Sequence, residues 1–252
     1  MIAAIVQVRM ASTRLPEKAM LDISGKPLIW HVVNRLKKSK KLEKIIIATT
    51  TNKEDNVISK FSEKEGLSCF RGSVDDVLDR FHQAAKKFNV DKIVRITADC
   101  PLIDPGILDE VIKHFENDKY DYVSNVRPPT YPDGLDVEVF SFISLEKAWT
   151  EAKLASEREH VTPYIWKHPE IFKIKNIRYK KDLSKLRWCV DNLEDLKFIR
   201  MVYKMLYKEG KIFNMNDVLA LLEKHPEIAK INEKIKRNIG YTKSVEEDKI
   251  VR

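Results

Sequence analysis

Glycine is scarce in this sequence. The 252 residues include only 7 glycines, less than half of the average share of about 7%. Neither a GxGxxG nor a GxxxxGK[ST] motif occurs. The sequence therefore lacks the glycine-rich loops with which dinucleotide-binding Rossmann domains and P-loop enzymes hold phosphates.

Cysteines are few and long apolar runs are missing. The three cysteines, Cys69, Cys100 and Cys189, form no CxxC pair, which argues against a disulfide framework or a structural zinc site. No apolar run approaches the ~18 residues of a membrane span. The N-terminal MIAAIVQVR is too short for a signal peptide and lacks its basic start. We therefore expect a soluble, cytoplasmic protein with no membrane partner.

Charge and hydrophobicity narrow the class of protein further. With 43% hydrophobic residues the chain can bury a core, which excludes wholesale disorder. The net charge of +8 suits nucleic acid, a membrane surface or a small anion such as a nucleoside triphosphate. The lysines are scattered, and the densest run, at 37–41, ends a helix-like segment where cations are stabilised. We therefore expect a small anion and no nucleic acid.

Short apolar runs alternate with amphipathic segments over the first 120 residues. This order predicts βαβ units and a mainly parallel sheet. Beyond residue 120 the predicted strands need not be parallel. The pattern indicates one α/β domain over 1–210 and a helical extension over 211–252 whose end is only partly ordered. The predicted strands are 2–6, 44–49, 92–97, 120–125, 135–140 and 171–179, and the predicted helices are 27–39, 54–64, 75–88, a helix beginning at 104–105, 142–153, 158–167, 192–206 and 218–223.

The loop after the first strand carries three cations and two hydroxyls. Ligands of such sheets bind outside the carboxyl ends of the strands. Arginine forks suit phosphate oxygens, and a lysine can follow a leaving pyrophosphate as a compact charge. The loop could also be a solvated turn with ordinary surface cations. We favour a nucleotide-binding loop formed by Arg9, Ser12, Thr13, Arg14 and Lys18.

These residues also carry a family resemblance. RMASTRLPEK followed by LDISGKPLIWHVVNRL is similar to the signature of the cytidylyltransferase group of sugar nucleotidyltransferases, which includes the CMP-Kdo and CMP-acylneuraminate synthetases. The sequence resembles most the spore coat polysaccharide biosynthesis cytidylyltransferase-like family. That resemblance extends through FRGSVDDVLDRF, RITADCPLIDP, YPDGLDVEVFS, EREHVTPYI and WCVDNLEDLKFIR to PEIAKINEKIKRNIGYTKS. It implies a GT-A-like, Rossmann-like nucleotidyltransferase domain with a mixed, mainly parallel sheet.

The resemblance also implies a magnesium site. Magnesium prefers oxygen ligands and takes one or two carboxylates together with substrate phosphates. Asp99 and Asp191 each follow a predicted strand, and the resemblance implies that both bind Mg²⁺. Arg14 and Lys18 would then assist catalysis by stabilising charge on the triphosphate. Either aspartate could instead cap the helix that follows it, although Asp104 is better placed than Asp99 for that purpose.

Two further regions are candidates for the base and the acceptor. The resemblance places base recognition near 70–76, where Arg71 and Ser73 could contact the base or its ribose. This motif departs from that of the CMP-Kdo synthetases, so the base stays open.

The acceptor candidates are Asp136, Glu138, Arg158 and His160. Alternation along a strand places Asp136 and Glu138 on one face, where they suit sugar hydroxyls. Arg158 could meet a carboxylate or phosphate. The run from 157 to 160 could equally be a charged first turn of a helix.

The leading expectation is a magnesium-dependent transferase that joins CTP to an acidic sugar for surface polysaccharide or glycan assembly, releasing pyrophosphate. Two alternatives stay open. One is the same scaffold acting on a sugar 1-phosphate or another phosphorylated polyol with CTP, GTP or UTP. The other is a nucleotide-sugar-binding or glycosyltransferase-like protein. Tyr203, Leu206 and Tyr207 on a late helix could support a homodimer.

Overall fold

One large sheet organises the protein, and a short hairpin stands apart from it. The computed structural model describes residues 1–117 and 119–251. Within these residues, seven strands form the sheet in the order β5-β4-β1-β6-β8-β7-β9, and β2 pairs with β3. The strands are β1 (Ile2–Gln7), β2 (Asp22–Ile23), β3 (Lys26–Pro27), β4 (Lys44–Thr50), β5 (Ser68–Gly72), β6 (Lys92–Thr97), β7 (Tyr122–Ser124), β8 (Glu138–Ser141) and β9 (Ile174–Asn176).

Helices cover both faces of the sheet. In chain order they are α1 (Leu28–Leu36), α2 (Asn56–Lys64), α3 (Val77–Lys87), α4 (Pro105–Asn117), α5 (Phe142–Glu151), α6 (Ala155–His160), α7 (Pro163–Lys167), α8 (Leu193–Leu206), α9 (Met215–Lys224), α10 (Pro226–Ala229) and α11 (Ile239–Glu246). Two short 3₁₀ turns, Lys18–Met20 and Lys53–Asp55, follow β1 and β4.

The sheet divides two hydrophobic cores. Side chains alternate along β1, so Val6 joins the core beneath α1, α4 and α8, whereas Ile5 joins the core beneath α3 and α5. Both side chains are fully buried. A strand buried on both faces is typical of a parallel sheet covered by helices.

The direction of the strands decides which loops share an edge. β1 runs parallel to β4 and β6, and β4 runs parallel to β5. β8 is antiparallel to both β6 and β7, so β7 runs in the direction of β6. The loops after β1, β4, β5, β6 and β7 therefore open at one edge, together with the beginning of β8.

The predicted fold class is confirmed, and the element bounds differ in places. The helix expected at 158–167 is two short helices, since Val161 between them has a positive φ of 72°. The tail expected to be partly ordered contains α11 and a bridge between Leu154 and Ile250. The boundary at 210 stays a prediction.

The structure also bears on what the sequence predicts about cysteines and membrane spans. Cys69, Cys100 and Cys189 are free thiols. Among the described helices, none has both the length and the apolar character needed to cross a bilayer.

Candidate active site

A buried aspartate fixes the loop that follows β1. Asp55 is fully buried, accepts a hydrogen bond from the Met10 backbone N–H at 2.7 Å and accepts another from the Thr50 hydroxyl. The Met10 carbonyl in turn accepts from the Ser12 and Glu17 N–H groups at 2.9 and 3.1 Å. The loop is therefore closed on itself and tied to the end of β4.

At the end of this loop, Lys18 joins the two aspartates predicted as metal ligands. Its ammonium group lies 2.7 Å from Asp99 Oδ2 and 2.8 Å from Asp191 Oδ1, and it also donates to the Val190 carbonyl at 3.0 Å. Arg14 lies 3.0 Å from the same oxygen of Asp191. The predicted convergence of Arg14, Lys18, Asp99 and Asp191 is thus observed.

Asp191 is brought to Asp99 by backbone contacts along residues 186–190. The Val190 N–H donates to the Asp99 carbonyl at 2.8 Å, and the Trp188 N–H donates to the Asp133 carbonyl at 2.6 Å. This approach depends on Gly134, because a Cβ there would lie 2.7 Å from the Trp188 carbonyl carbon, and the φ of Gly134 is +104°.

The helix-cap alternatives for these aspartates are not observed. Asn192 caps α8 by accepting from the Asp195 N–H. Asp104 accepts from the Gly106 N–H at 2.8 Å, at the start of α4. Asp99 and Asp191 are therefore free of capping and face the cations of the loop.

Lys18 and Asp99 stabilise each other in their ionised forms. Burial alone would raise the pKa of Asp99, but the charge and hydrogen bond of Lys18 outweigh burial and hold that pKa well below its ordinary value. Burial alone would lower the pKa of Lys18, and the two carboxylates instead raise it. At neutral pH one fixed cation therefore sits between two carboxylates.

Asp99 and Asp191 have the oxygen ligands that a divalent cation prefers, and Lys18 occupies the space between them. The described residues contain no group of three or more histidine, cysteine or acidic side chains that could hold a metal ion. Magnesium commonly takes only one or two carboxylates and completes its shell with water and substrate phosphates. Asp99 and Asp191 both contact the ammonium group of Lys18. Two carboxylates therefore lie close enough together to provide such ligands.

The other candidate residues of this loop, Arg9, Ser12 and Thr13, lie at the same edge of the sheet. Arg9 and Thr13 are exposed, and the charge of Arg9 helps to lower the pKa of nearby Arg80 to about 10, second to burial. The hydroxyl of Ser12 accepts a long 3.4 Å hydrogen bond from the Leu15 N–H. Arg9 therefore adds an exposed positive charge beside the site.

The predicted base-binding residues use their polar groups within the protein. Arg71 donates to the Thr50 carbonyl at 2.8 Å and to the Asn52 carbonyl at 2.7 Å, which braces the turn after β4. The Ser73 hydroxyl accepts from the Asp76 N–H at 3.0 Å. Their contact with a nucleotide stays a prediction.

The helix cap in this region is Asp76, and the neighbouring Asp75 is exposed. Asp76 accepts from the Asp79 N–H at 2.8 Å and therefore caps α3. The same side chain accepts from Arg158 at 2.6 Å. Arg158 is buried and also donates to the Trp149 and Ala152 carbonyls at 3.1 Å. These bonds give Arg158 a structural role, and its contact with an acceptor stays a prediction.

Asp136 and Glu138 lie together at the beginning of β8, each paired with an arginine. Arg237 from the C-terminal segment donates to Asp136 at 2.5 Å, and Arg95 from β6 donates to Glu138. Burial is the main cause that raises the pKa of Asp136 to about 6, and the negative charges of Asp133 and Glu138 add to it. The positive charge of Arg237 opposes this shift.

Glu138 is satisfied on every side. The hydroxyls of Tyr122 and Thr162 each donate to its Oε1 at 2.6 Å. Burial would raise its pKa, yet the charge of Arg95 and these hydrogen bonds lower it below the ordinary value. Glu138 is therefore a carboxylate at neutral pH.

His160 lies near these residues at the end of α6. Its ring contacts the Ser244 hydroxyl at 3.0 Å and meets the Tyr241 ring edge-to-face at 5.1 Å. Burial, supported by the charges of Arg95 and Arg127, lowers the pKa of His160 to about 4. The imidazole is therefore neutral at physiological pH.

One buried arginine that the sequence did not single out organises the carboxylates. Arg187 donates to Asp133 at 2.8 Å, to Asp191 at 2.7 Å and to Asp195 at 3.0 Å. Asn232, from the C-terminal segment, donates to Asp195 at 2.9 Å and to the Arg187 carbonyl at 3.0 Å. Asp191 and Asp195 lie close to Arg187 along the chain, whereas Asp133 and Asn232 come from distant parts of it and no local pattern around Arg187 indicates them.

The fold and this edge define a class of enzyme. Arginine and lysine beside a pair of carboxylates, at the carboxyl ends of parallel strands, provide the charges that a nucleotidyl transfer needs. No residue is required to form a covalent intermediate. The arrangement is that of a nucleotidyltransferase.

The chain belongs to the cytidylyltransferase family, which matches residues 3–234. It is 39% identical over 240 residues to an uncharacterised protein of Methanocaldococcus jannaschii, covering 94% of this chain and 96% of that one. It is 29% identical over 237 residues to the spore coat polysaccharide biosynthesis protein SpsF of Bacillus subtilis, covering 90% and 96%. The structure of a cytidylyltransferase from Leptospira borgpetersenii superposes with a TM-score of 0.87 at 34% identity, covering 94% and 99%. The predicted family resemblance is confirmed.

Proposed function

We propose that this protein is a magnesium-dependent cytidylyltransferase that joins CTP to an acidic sugar. The products are a CMP-sugar, for surface polysaccharide or glycan assembly, and pyrophosphate. The observation that carries the proposal is the convergence of Asp99 and Asp191 on Lys18, beside the cationic loop from Arg9 to Lys18. Membership of the cytidylyltransferase family and the similarity to the spore coat polysaccharide biosynthesis protein SpsF support the nucleotide and the pathway class.

In the proposed reaction, a hydroxyl oxygen of the acceptor attacks the α-phosphorus of CTP. The bond from that phosphorus to the bridging oxygen of the β-phosphate breaks, and pyrophosphate leaves. We assign Arg9 and Arg14 to the outer phosphates, and Lys18 to the charge of the leaving group.

Asp99 and Asp191 would hold the Mg²⁺. When bound, it neutralises charge on the triphosphate and makes the α-phosphorus more electrophilic. Arg187 keeps Asp191 in place through its 2.7 Å hydrogen bond to the second carboxylate oxygen. We assign Asp136, just before β8, to the acceptor side, whereas Glu138 beside it is already hydrogen-bonded by Arg95, Tyr122 and Thr162.

The test measures pyrophosphate release with CTP, GTP, UTP and ATP, each with Mg²⁺ and with EDTA. Two classes of acceptor are compared, sugar acids and sugar 1-phosphates. We expect release with CTP, Mg²⁺ and a sugar acid. In Asp99→Asn, release should fall at least about 100-fold because a metal ligand and a charge are lost. Asp182→Asn, which alters an exposed carboxylate elsewhere, serves as the control.

Other outcomes of this matrix would redirect the assignment. Turnover only with a sugar 1-phosphate would replace the sugar acid as acceptor. Full activity in Asp99→Asn, or activity undiminished by EDTA, would contradict the metal site.

A further inference from the structure

Two basic segments that are far apart in the sequence meet in the structure. Residues 178–187 contain five lysines and arginines and one aspartate, and residues 230–237 contain four lysines and arginines and one glutamate. Their combined net charge is +7, compared with +8 for the whole chain. Asn232 of the second segment donates to the Arg187 carbonyl of the first at 3.0 Å. The fold therefore concentrates positive charge that looks scattered along the sequence.

The two segments line a cavity of about 320 Å³. This volume is at the lower end of the range for small-molecule sites. Its acidic lining residues are Asp133 and Glu233. The cationic residues that line it are Lys185, Arg187, Lys234, Lys236 and Arg237. The cavity is therefore suited in size and charge to a small anion.

The lysines and arginines of this cavity differ in their partners. Arg187 and Arg237 are both paired with aspartates. Lys185, Lys234 and Lys236 are exposed, and within residues 1–117 and 119–251 none of the three forms an ion pair. The charge of these lysines is therefore available to a ligand.

Arg237 also has an unused hydrogen-bond donor. Its Nε–H is buried and has no hydrogen-bond partner among the described residues. The closer oxygen of the Asp133 ion pair is 3.7 Å from this nitrogen, which is too long for a hydrogen bond. A buried donor without a partner is unusual in a native protein and needs an explanation. An oxygen atom of an anion in the cavity would provide the missing acceptor.

The same two arginines connect the cavity with the catalytic edge. Arg187 donates to Asp191 at 2.7 Å, and Arg237 donates to Asp136 at 2.5 Å. An anion in the cavity would compete with these carboxylates for the two guanidinium groups. The hold on Asp191 would then weaken, and Asp191 is one of the two residues assigned to Mg²⁺.

We propose that the cavity between residues 184–187 and 233–237 binds the phosphate group of a small phosphorylated molecule, and that its occupation weakens the hold of Arg187 on Asp191. None of the lining residues belongs to the cationic loop from Arg9 to Lys18. A small ligand fits better than a membrane surface, because the unused donor of Arg237 is buried. The binding site goes beyond the proposed function, whereas its effect on turnover rests on that function.

Binding is measured by isothermal titration calorimetry with inorganic phosphate at constant ionic strength, on the full chain. The double variant Lys185→Gln/Lys234→Gln removes two cations from the cavity. Phosphate could also bind to the cationic loop, so Arg9→Gln/Arg14→Gln removes two cations there. The two double variants lose the same charge at different places, and their comparison locates the phosphate.

We expect saturable phosphate binding to the wild type. In Lys185→Gln/Lys234→Gln the Kd of this site should rise at least about tenfold, because two charged donors are lost. The loop variant should keep the site with its Kd unchanged. Lys60→Gln/Lys64→Gln, which loses the same charge from exposed positions of α2, should behave as wild type.

Turnover gives a second readout, as formation of the CMP-sugar at saturating CTP. In wild type, phosphate should raise the Mg²⁺ concentration needed for half-maximal activity about fivefold. Without phosphate, Lys185→Gln/Lys234→Gln should be as active as wild type. With phosphate its Mg²⁺ requirement should change much less than that of wild type, although phosphate withdraws the same amount of free Mg²⁺ from both proteins.

Four results would overturn the inference of a phosphate site. They are no saturable phosphate binding, an unchanged Kd in Lys185→Gln/Lys234→Gln, a loss of binding confined to Arg9→Gln/Arg14→Gln, and capture of the wild type by phosphatidylglycerol vesicles without binding of free phosphate. An equal Mg²⁺ requirement with and without bound phosphate would overturn the connection to Asp191. Absence of turnover with every nucleotide would contradict the proposed function alone, since calorimetry decides on the cavity without turnover.

Discussion

At the scale of single residues, the central feature is that Lys18 sits between the two predicted metal ligands. Its ammonium group is within 2.8 Å of both Asp99 and Asp191. An ammonium ion and a magnesium ion cannot occupy the same space between two carboxylates. We therefore infer that Lys18 balances the two negative charges until metal and triphosphate arrive, and then turns to the phosphates.

Removing this lysine should make the protein depend on metal for stability. In Lys18→Met the two carboxylates lose their shared cation, so the free energy of unfolding should fall by about 1–3 kcal/mol. Mg²⁺ alone should then restore more stability to the variant than it adds to wild type. Thermal unfolding with and without Mg²⁺ measures both effects, with the exposed Lys60→Met as the control. Equal responses of the variant and wild type to Mg²⁺ would contradict the inference.

The residues at this edge were partly predictable. Strand-end position indicated Arg14, Lys18 and Asp99, because residues that follow parallel strands meet at one edge. Asp191 was indicated by the family resemblance, and the short strand expected before it is not observed. Arg71 and Arg158 were also candidate site residues, yet both are bound to backbone carbonyls within the protein. A single sequence does not show whether an arginine meets a ligand or a carbonyl.

At the scale of elements, the cationic loop depends on the 3₁₀ turn after β4. Asp55 in that turn binds the Met10 N–H of the loop and the Thr50 hydroxyl of the strand. The cationic loop and the 3₁₀ turn after β4 are therefore held together by Asp55. The binding of CTP should thus be sensitive to a residue that is itself buried beneath the loop.

Asp55→Asn tests this connection. The amide keeps the size of the side chain but replaces one of the two acceptor oxygens by a donor, which should cost about 1–3 kcal/mol of stability. The KM for CTP should rise severalfold while the KM for the acceptor stays close to that of wild type. Chemical unfolding and steady-state kinetics report the two effects, and Glu54→Gln, an exposed neighbour, is the control. A rise in the KM for the acceptor alone would contradict the assignment of this loop to CTP binding.

Periodicity predicted most of the elements because buried strands and amphipathic helices carry their own signals. The strand at 92–97 was predicted with its observed bounds. Helix 158–167 was not, because the break at Val161 is a backbone conformation that the residue type does not reveal. Arg80 and His82 are buried in α3 although polar residues on a helix usually face solvent.

At the scale of the whole molecule, the C-terminal segment returns across the catalytic edge. Asn232 binds Asp195, Arg237 binds Asp136, and Asp248 accepts from the N–H and the hydroxyl of Ser156. These partners are separated by 37 to 101 residues. Their distance along the chain explains why composition and local pattern predicted only an extension with a partly ordered end.

Thermal unfolding with CTP, in the presence of Mg²⁺ and in the presence of EDTA, is the decisive measurement for the site formed by Lys18, Asp99 and Asp191. At a hundred times its Kd, CTP should stabilise the wild type by about 2.7 kcal/mol, which raises the Tm by roughly 5–10 °C. We expect this rise only with Mg²⁺, and we expect it to be lost in Asp191→Asn. An equal rise in EDTA, or an undiminished rise in Asp191→Asn, would contradict the site formed by Lys18, Asp99 and Asp191.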